Sequence, residues 1–156
     1  AGVYQLSFTS QLRNVASHDL VFASPAIEGR PEAGYGGLFW RGPDSFVDGR
    51  AMAAGGLEGA EVMGSRAQWL SFTGHHEGGG VSTLIFIDDR RNPRHPTEWF
   101  VRTSPIACVS PAFAFSDRLT LSPADEVTFR HALVLVAGDL GRGDVERLVA
   151  AAQDDR

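Results

Sequence analysis

Lysine is absent from the sequence, and all 14 of its basic residues are arginine. They are outnumbered by 19 acidic residues, so the formal net charge at pH 7 is −5. Nucleic-acid binding needs a basic face, and this balance therefore excludes nucleic acid as an expected partner. A coding bias toward GC-rich codons explains the missing lysine. The functional alternative is that guanidinium groups bind carboxylates bidentately and stack on aromatic rings.

Cysteine, long apolar runs and cofactor motifs are also scarce. Cys108 is the only cysteine, which excludes an internal disulfide and a multi-cysteine metal cluster. No run approaches the roughly 18 apolar residues of a membrane span, and the first residues lack the layout of a signal peptide. We therefore expect a cytoplasmic protein without a membrane partner. No serine-nucleophile motif, phosphate loop or dinucleotide fingerprint occurs, so no cofactor is predicted.

Frequent glycine and proline residues divide the chain into short segments with strand patterns. Period-two alternation or apolar runs predict strands over 3–9, 19–23, 81–87, 99–102, 106–109, 118–121 and 126–136, an aromatic strand entered through the glycine-rich segment 34–41, and a hairpin of 60–63 with 67–73. The only helix predicted covers 144–153, with Asp144 as its cap. We predict an all-β fold, an antiparallel β-sandwich with a short C-terminal helix.

The 156 residues fit one domain, or the C-terminal portion of a larger one, because the chain opens on a strand pattern at Ala1 without an initiator methionine. A sheet fold divided in this way would expose unpaired strand edges. We therefore expect either homo-oligomerisation or association with a missing N-terminal half.

The densest polar cluster follows the most apolar predicted strand and ends at a tryptophan. Prolines at 93 and 96 restrict its backbone. In this stiff segment Asp88 and His95 are the candidate catalytic acid–base groups, Asn92 and Arg94 the candidate ligand-binding groups, and Trp99 a stacking platform for a polyhydroxylated ligand. The alternative is a solvated turn closed by local salt bridges.

A glycine-rich entry into an aromatic strand, residues 34–41, forms the second candidate segment. Its glycines allow close backbone approach, and Tyr35 and Arg41 are candidate ligand-binding residues on a concave sheet face. The alternative is a bulged strand with core aromatics and an outward guanidinium. We expect this segment and the 88–99 cluster to face one shared hollow.

The histidines do not predict a metal site. His75 and His76 are adjacent, so on a strand they face opposite ways, and no metal-ligand spacing such as H-E-x-x-H occurs. A polar hairpin tip is the simpler interpretation. His131 alternates with apolar residues and is expected to be a satisfied core histidine.

From Gly34 to Asp139 the chain resembles the bacterial family named "methane oxygenase PmoA". The matching blocks are Gly34–Arg41, Trp69 with Gly74, Gly80–Val81 leading to Ile87–Asp88, Asn92–Pro96, Trp99–Arg102 and Leu121–Pro123. The resemblance implies the C-terminal half of a longer member, and an architecture similar to the large sandwiches of sugar mutarotases. The family's histidine-rich N-terminal block is not present here. Its name does not describe chemistry for this chain, because a membrane methane monooxygenase subunit needs several apolar spans.

Three functions remain open at this point. The first is a carbohydrate-directed sandwich that binds or acts on a sugar or sugar acid, with a small molecule as its partner. The second is a non-catalytic binding or assembly module whose arginine-rich loop docks on an acidic surface. The third, a metal-dependent oxygenase using His75 or His76, needs ligands from elsewhere in the fold.

Overall fold

The computed structural model describes residues 2–154, which contain ten strands, one α-helix and three short 3-10 helices. The strands are β1 Val3–Arg13, β2 Leu20–Phe22, β3 Trp40–Arg41, β4 Arg50–Ala53, β5 Trp69–His75, β6 Val81–Asp88, β7 Glu98–Arg102, β8 Cys108–Ala112, β9 Leu119–Leu121 and β10 Glu126–Ala137. The α-helix, α1, covers Arg142–Asp154, and the 3-10 helices cover Asp44–Phe46, Ala54–Gly56 and Gly59–Val62. No helix among these residues is long and apolar enough to cross a membrane.

The strands form two main sheets and one small one. The large sheet has the order β1-β10-β6-β5-β4, the second sheet has the order β3-β8-β7, and β2 pairs with β9. Neighbouring strands are antiparallel in each case. This confirms the predicted all-β, sandwich-like fold with one short C-terminal helix.

Alternation along β6 explains how the layers are held together. Leu84 and Phe86 face the second sheet and join a core that includes Trp99 and Val109. The intervening residues Ile85 and Ile87 face the opposite side and pack in a second core against α1. A strand with apolar residues on both faces is buried on both, as the continuous apolar pattern of 81–87 predicts.

Two local predictions are wrong. Residues 60–63 do not form the first arm of a hairpin, because Gly59–Val62 is a 3-10 helix. The partner of β5 on that side is β4, a strand that the sequence pattern did not indicate. The helix α1 begins at Arg142, so Asp144 lies inside its first turn and is not the cap.

Candidate functional site

The polar cluster after β6 closes on itself around one buried carboxylate. Asp88 is only 1% exposed. Its Oδ1 accepts a hydrogen bond from Asn92 Nδ2 at 2.7 Å, and its Oδ2 accepts one from the Thr97 backbone N–H at 2.9 Å. The same Oδ2 lies 2.7 Å from His95 Nδ1. The carboxylate is therefore occupied by its own loop and is not accessible to a ligand.

Asn92 ties this loop to β10. Its Nδ2 donates to the Arg130 carbonyl at 2.6 Å, and its Oδ1 accepts from the Arg130 backbone N–H at 2.6 Å. The side chain thereby takes the place of a strand partner at the point where β6 has ended. Asn92 is itself buried. These contacts give it a structural role in place of the predicted ligand contact.

The side chains of Arg94 and Trp99 also form their hydrogen bonds within the protein. The Arg94 guanidinium donates to the carbonyls of Phe113, Asp117 and Arg118 at 3.1, 2.8 and 2.7 Å. Trp99 is fully buried, and its Nε1 donates to the Ala67 carbonyl at 2.8 Å. An indole in this position cannot stack on a ligand, so the predicted stacking platform is a core residue.

His95 keeps some exposure, since its side chain is 17% accessible. The hydrogen bond at Nδ1 orients the ring, as a carboxylate does for a general-base histidine. The same contact also closes the loop from 88 to 97. His131 Nε2 lies 3.6 Å from Asp88 Oδ1 and belongs to the same buried group.

The other predicted segment lies on a different surface. Arg41 on β3 and Arg102 on β7 both pair with Cys108 on β8, so the three residues form one row across the second sheet. Directly paired residues on neighbouring strands share a face. Trp40, Val109 and Val101, one position along, belong to the core on the opposite face. The row therefore lies on the outer face of the sandwich.

A pocket of about 190 Å³ opens over this row. Its lining consists of Tyr35, Phe39, Arg41, Phe100, Arg102, Pro105, Ile106 and Cys108. Phe100 precedes Arg102 by two positions and therefore shares its face. Asp88, Asn92, Arg94, His95 and Trp99 are not part of this lining, so the expected shared hollow does not form.

The glycine-rich loop sets the aromatic side of the pocket. The Tyr35 ring packs edge-on against Phe100 with ring centroids 5.3 Å apart. Gly34 lies against Phe115, where an added Cβ would come within 2.2 Å of the ring. The close neighbour of this glycine is therefore the Phe115 side chain of the protein itself. It fixes the start of the loop that carries Tyr35 and Phe39.

The pocket is electropositive and partly apolar. It is lined by two arginines and, among the described residues, by no carboxylate. The Arg102 guanidinium lies 5.4 Å from the centroid of the Phe100 ring and donates to the Glu32 carbonyl at 3.2 Å. Burial raises the pKa of the Cys108 thiol above its ordinary value, while Arg102 and Arg41 beside it act in the opposite direction.

Two further pocket residues, Phe100 and Arg102, can be predicted from the alternation along β7. In the strand from 98 to 102, Trp99 and Val101 alternate with Phe100 and Arg102. If Trp99 lies in the core between the sheets, the alternation places Phe100 and Arg102 on the opposite face of the same sheet. The contributions of Phe39 and Ile106 depend on loop geometry, which no local pattern reveals.

The histidine pair lies at the end of β5, with His75 as the last residue of the strand and His76 directly after it. His76 Nε2 lies 2.7 Å from the Ser82 hydroxyl, across the turn that joins β5 to β6. Within residues 2–154, no group of three or more His, Cys, Asp or Glu side chains is placed to hold a metal ion. The pair belongs to a hairpin tip.

Comparison with known proteins gives one match. A family model described as "Family of unknown function (DUF6807)" matches residues 1–150. No curated protein and no solved structure matches the chain. The resemblance to the PmoA family stays a prediction. The match covers nearly the whole sequence, and the chain therefore belongs to DUF6807.

Proposed function

We propose that this protein binds a small carbohydrate acid in the pocket on the outer face of the second sheet. The observation that carries the proposal is the row Arg41–Cys108–Arg102, which places two guanidinium groups in one pocket with the exposed rings of Tyr35 and Phe39. The predicted ligand contacts of Arg41 and Tyr35 are retained. Those of Asn92, Arg94 and Trp99 are replaced by Arg102 and Phe39, while Phe100 is buried beside Tyr35.

The two kinds of side chain suit two parts of one ligand. Guanidinium groups bind carboxylates with two parallel hydrogen bonds, and such charge-assisted bonds are stronger than neutral ones. Aromatic rings supply apolar surface for the C–H face of a sugar ring. Arg41 forms no ion pair with a described carboxylate, so its charge is available to a ligand.

Pocket size favours one sugar unit. Drug-sized ligands occupy pockets of about 300–1,000 Å³, and this pocket measures about 190 Å³. The β3 and β7 strands are separated by β8, so their Cα traces lie about 10 Å apart. That span brings the two flexible arginine side chains to the same small ligand from opposite sides.

The proposal concerns binding. Asp88 and His95, the predicted acid–base groups, lie in the loop from 88 to 97 and do not line this pocket. Cys108 is buried and its raised pKa favours the neutral thiol, which is a poor nucleophile. A chain with one cysteine needs no oxidising compartment to form an internal disulfide, and a cytoplasmic location is part of the proposal.

Titration calorimetry with glucuronate and galacturonate tests the proposal, with glucose, galactose and acetate as comparisons. We expect the uronates to bind and the neutral sugars and acetate to bind much more weakly. Arg41→Ala removes one charge-assisted contact worth about 1.5–3 kcal/mol, which corresponds to a loss of about 10–150-fold in affinity.

Arg30→Ala is the matched control, because Arg30 is exposed and lies outside the pocket lining. It removes the same charge and should leave the affinity unchanged. The proposal would be refuted if neither glucuronate nor galacturonate bound the wild-type protein. Equal losses in Arg41→Ala and Arg30→Ala would reduce the effect to general electrostatic attraction.

A further inference from the structure

We infer that β1 is a dimerisation strand, which pairs antiparallel with β1 of a second copy of this chain about a two-fold axis at Phe8. The inference is independent of the proposed ligand pocket, because β1 lies at the edge of the large sheet. It rests on the outer hydrogen-bonding edge of this strand, which no strand within residues 2–154 covers, on its composition and on its self-complementary register.

The edge of β1 offers a full row of backbone groups. Arg130 on β10 directs both its N–H and its carbonyl toward the β6 side, where they bond to Asn92 and Asp89. Thr9 is paired with Arg130. In an antiparallel ladder Thr9 therefore directs its own N–H and carbonyl away from β10, and so does every second residue of β1. These are the odd-numbered residues from Val3 to Arg13.

The β1 edge lacks the sequence features that usually prevent an edge strand from pairing with another chain. Natural edge strands are usually short, or are blocked by charged residues, proline or bulges. β1 has 11 residues, and positions 3–12 contain no charged residue and no proline. Its pairing with β10 is continuous over all 11 positions, without a bulge. A long, regular edge strand without charges is suited to pair with a further strand.

The inward face of the strand is apolar and uncovered. Tyr4 and Leu6 pair with Leu135 and Leu133, which border the main core, so they extend its apolar surface. Tyr4, Leu6 and Phe8 are nevertheless 69%, 46% and 36% exposed. Apolar side chains in a contiguous exposed patch mark an interaction surface.

The sequence of β1 is complementary to itself when two copies meet at Phe8. Tyr4 then lies opposite Leu12 of the second copy, Leu6 opposite Ser10, and Phe8 opposite Phe8. On the other face, Gln5 lies opposite Gln11 and Ser7 opposite Thr9. Apolar residues thus meet mainly apolar ones, and amides meet amides.

Charge and hydrogen-bond geometry agree with the same register. The only charged residue of β1, Arg13, lies opposite Val3 of the second copy, so no like charges face each other. Phe8 is even-numbered and bonds toward β10, which makes the Phe8–Phe8 pair a non-hydrogen-bonded one, where side chains approach most closely. The outward groups of Ser7 and Thr9 then bond to each other across the axis. These features fit a second copy as the occupant of this edge.

Sedimentation velocity of the full chain tests the inference. A strand-pairing interface is small, so we expect a dimer whose population rises with concentration across the micromolar range. Ser7→Pro removes an outward N–H while sparing the ladder with β10, and it should give a monomer. Ser7→Ala keeps that N–H and should dimerise like the wild type. Circular dichroism establishes that both variants are folded.

A charge exchange at the axis tests the register itself. Phe8→Glu and Phe8→Lys each place like charges opposite one another, so each variant alone should be monomeric. An equimolar mixture should form a mixed dimer, because opposite charges then meet at the axis. A wild-type protein that stays monomeric at all concentrations would overturn the inference, and so would a Phe8→Glu variant that dimerises alone. A mixture that stays monomeric would overturn the Phe8-centred register.

Discussion

Asp88 accepts hydrogen bonds from groups that all lie within nine residues of it along the chain. Burying a carboxylate costs free energy unless its oxygens are paired. The donors at Asn92, His95 and Thr97 therefore make this buried position possible. In return, the carboxylate fixes a ten-residue loop whose prolines alone would not determine its path.

We expect Asp88→Asn to destabilise the protein by about 2–4 kcal/mol, because an amide lacks the charge and turns an N–H₂ group toward donors. Urea unfolding followed by tryptophan fluorescence measures this loss. Asp19→Asn is the control, since Asp19 is exposed, and it should change stability by no more than about 0.5 kcal/mol. Equal stability of the two variants would show that the Asp88 network contributes nothing.

The sequence identifies the polar residue types of the 88–99 cluster. It does not show whether their side chains face a ligand or bond to the protein itself. Proline-stiffened backbone and polar side chains are shared by ligand-binding loops and by loops that satisfy themselves. The deciding contact joins Asn92 to Arg130, 38 residues away. Such a contact depends on β10 lying beside β6, which is a property of the sheet topology.

At the scale of elements, the loop from 34 to 39 is determined by its contact with Phe115. The two glycines that flank Tyr35 differ in their surroundings. An added Cβ at Gly34 would lie 2.2 Å from the Phe115 ring, whereas one at Gly36 would meet nothing within 4 Å. Neither glycine has a positive φ, so the difference between them is one of space alone.

We therefore expect Gly34→Ala to lower stability by about 1–3 kcal/mol through overpacking. Gly36→Ala should be neutral or slightly stabilising, because alanine restricts the unfolded chain. Thermal unfolding of both variants makes the comparison. Similar melting temperatures would mean that Phe115 moves aside freely and that the loop is not fixed by this contact.

Strands were predictable where their sequence shows regular period-two alternation or a continuous apolar run. The long strands β1, β6 and β10 follow from period-two alternation or continuous apolar runs. β4 was missed because its sequence, Arg-Ala-Met-Ala, contains no β-branched or aromatic residue. It is a strand because β5 pairs with it, and its last three residues are buried. Tertiary pairing here overrides a weak local preference.

At the scale of the whole molecule, the large sheet is shared by two cores. Leu84 and Phe86 contribute to the core between the sheets, and Ile85 and Ile87 contribute to the core under α1. Any loss of order in β6 therefore affects both layers. We infer that the helix and the sandwich unfold as one cooperative unit.

Val145→Ala tests this coupling from the helix side. Val145 is fully buried in the core between α1 and the large sheet, and removing its methyl groups should cost about 1–3 kcal/mol. Urea unfolding should be followed by helical circular dichroism and, with Trp69→Phe in every protein compared, by tryptophan fluorescence, because Trp69 lies in the core under α1 whereas Trp40 and Trp99 lie in or against the other core. Both midpoints should fall together, while the exposed neighbour change Glu146→Ala should leave them in place. If only the circular dichroism midpoint moved, α1 would be a separately unfolding layer and the two cores would be independent.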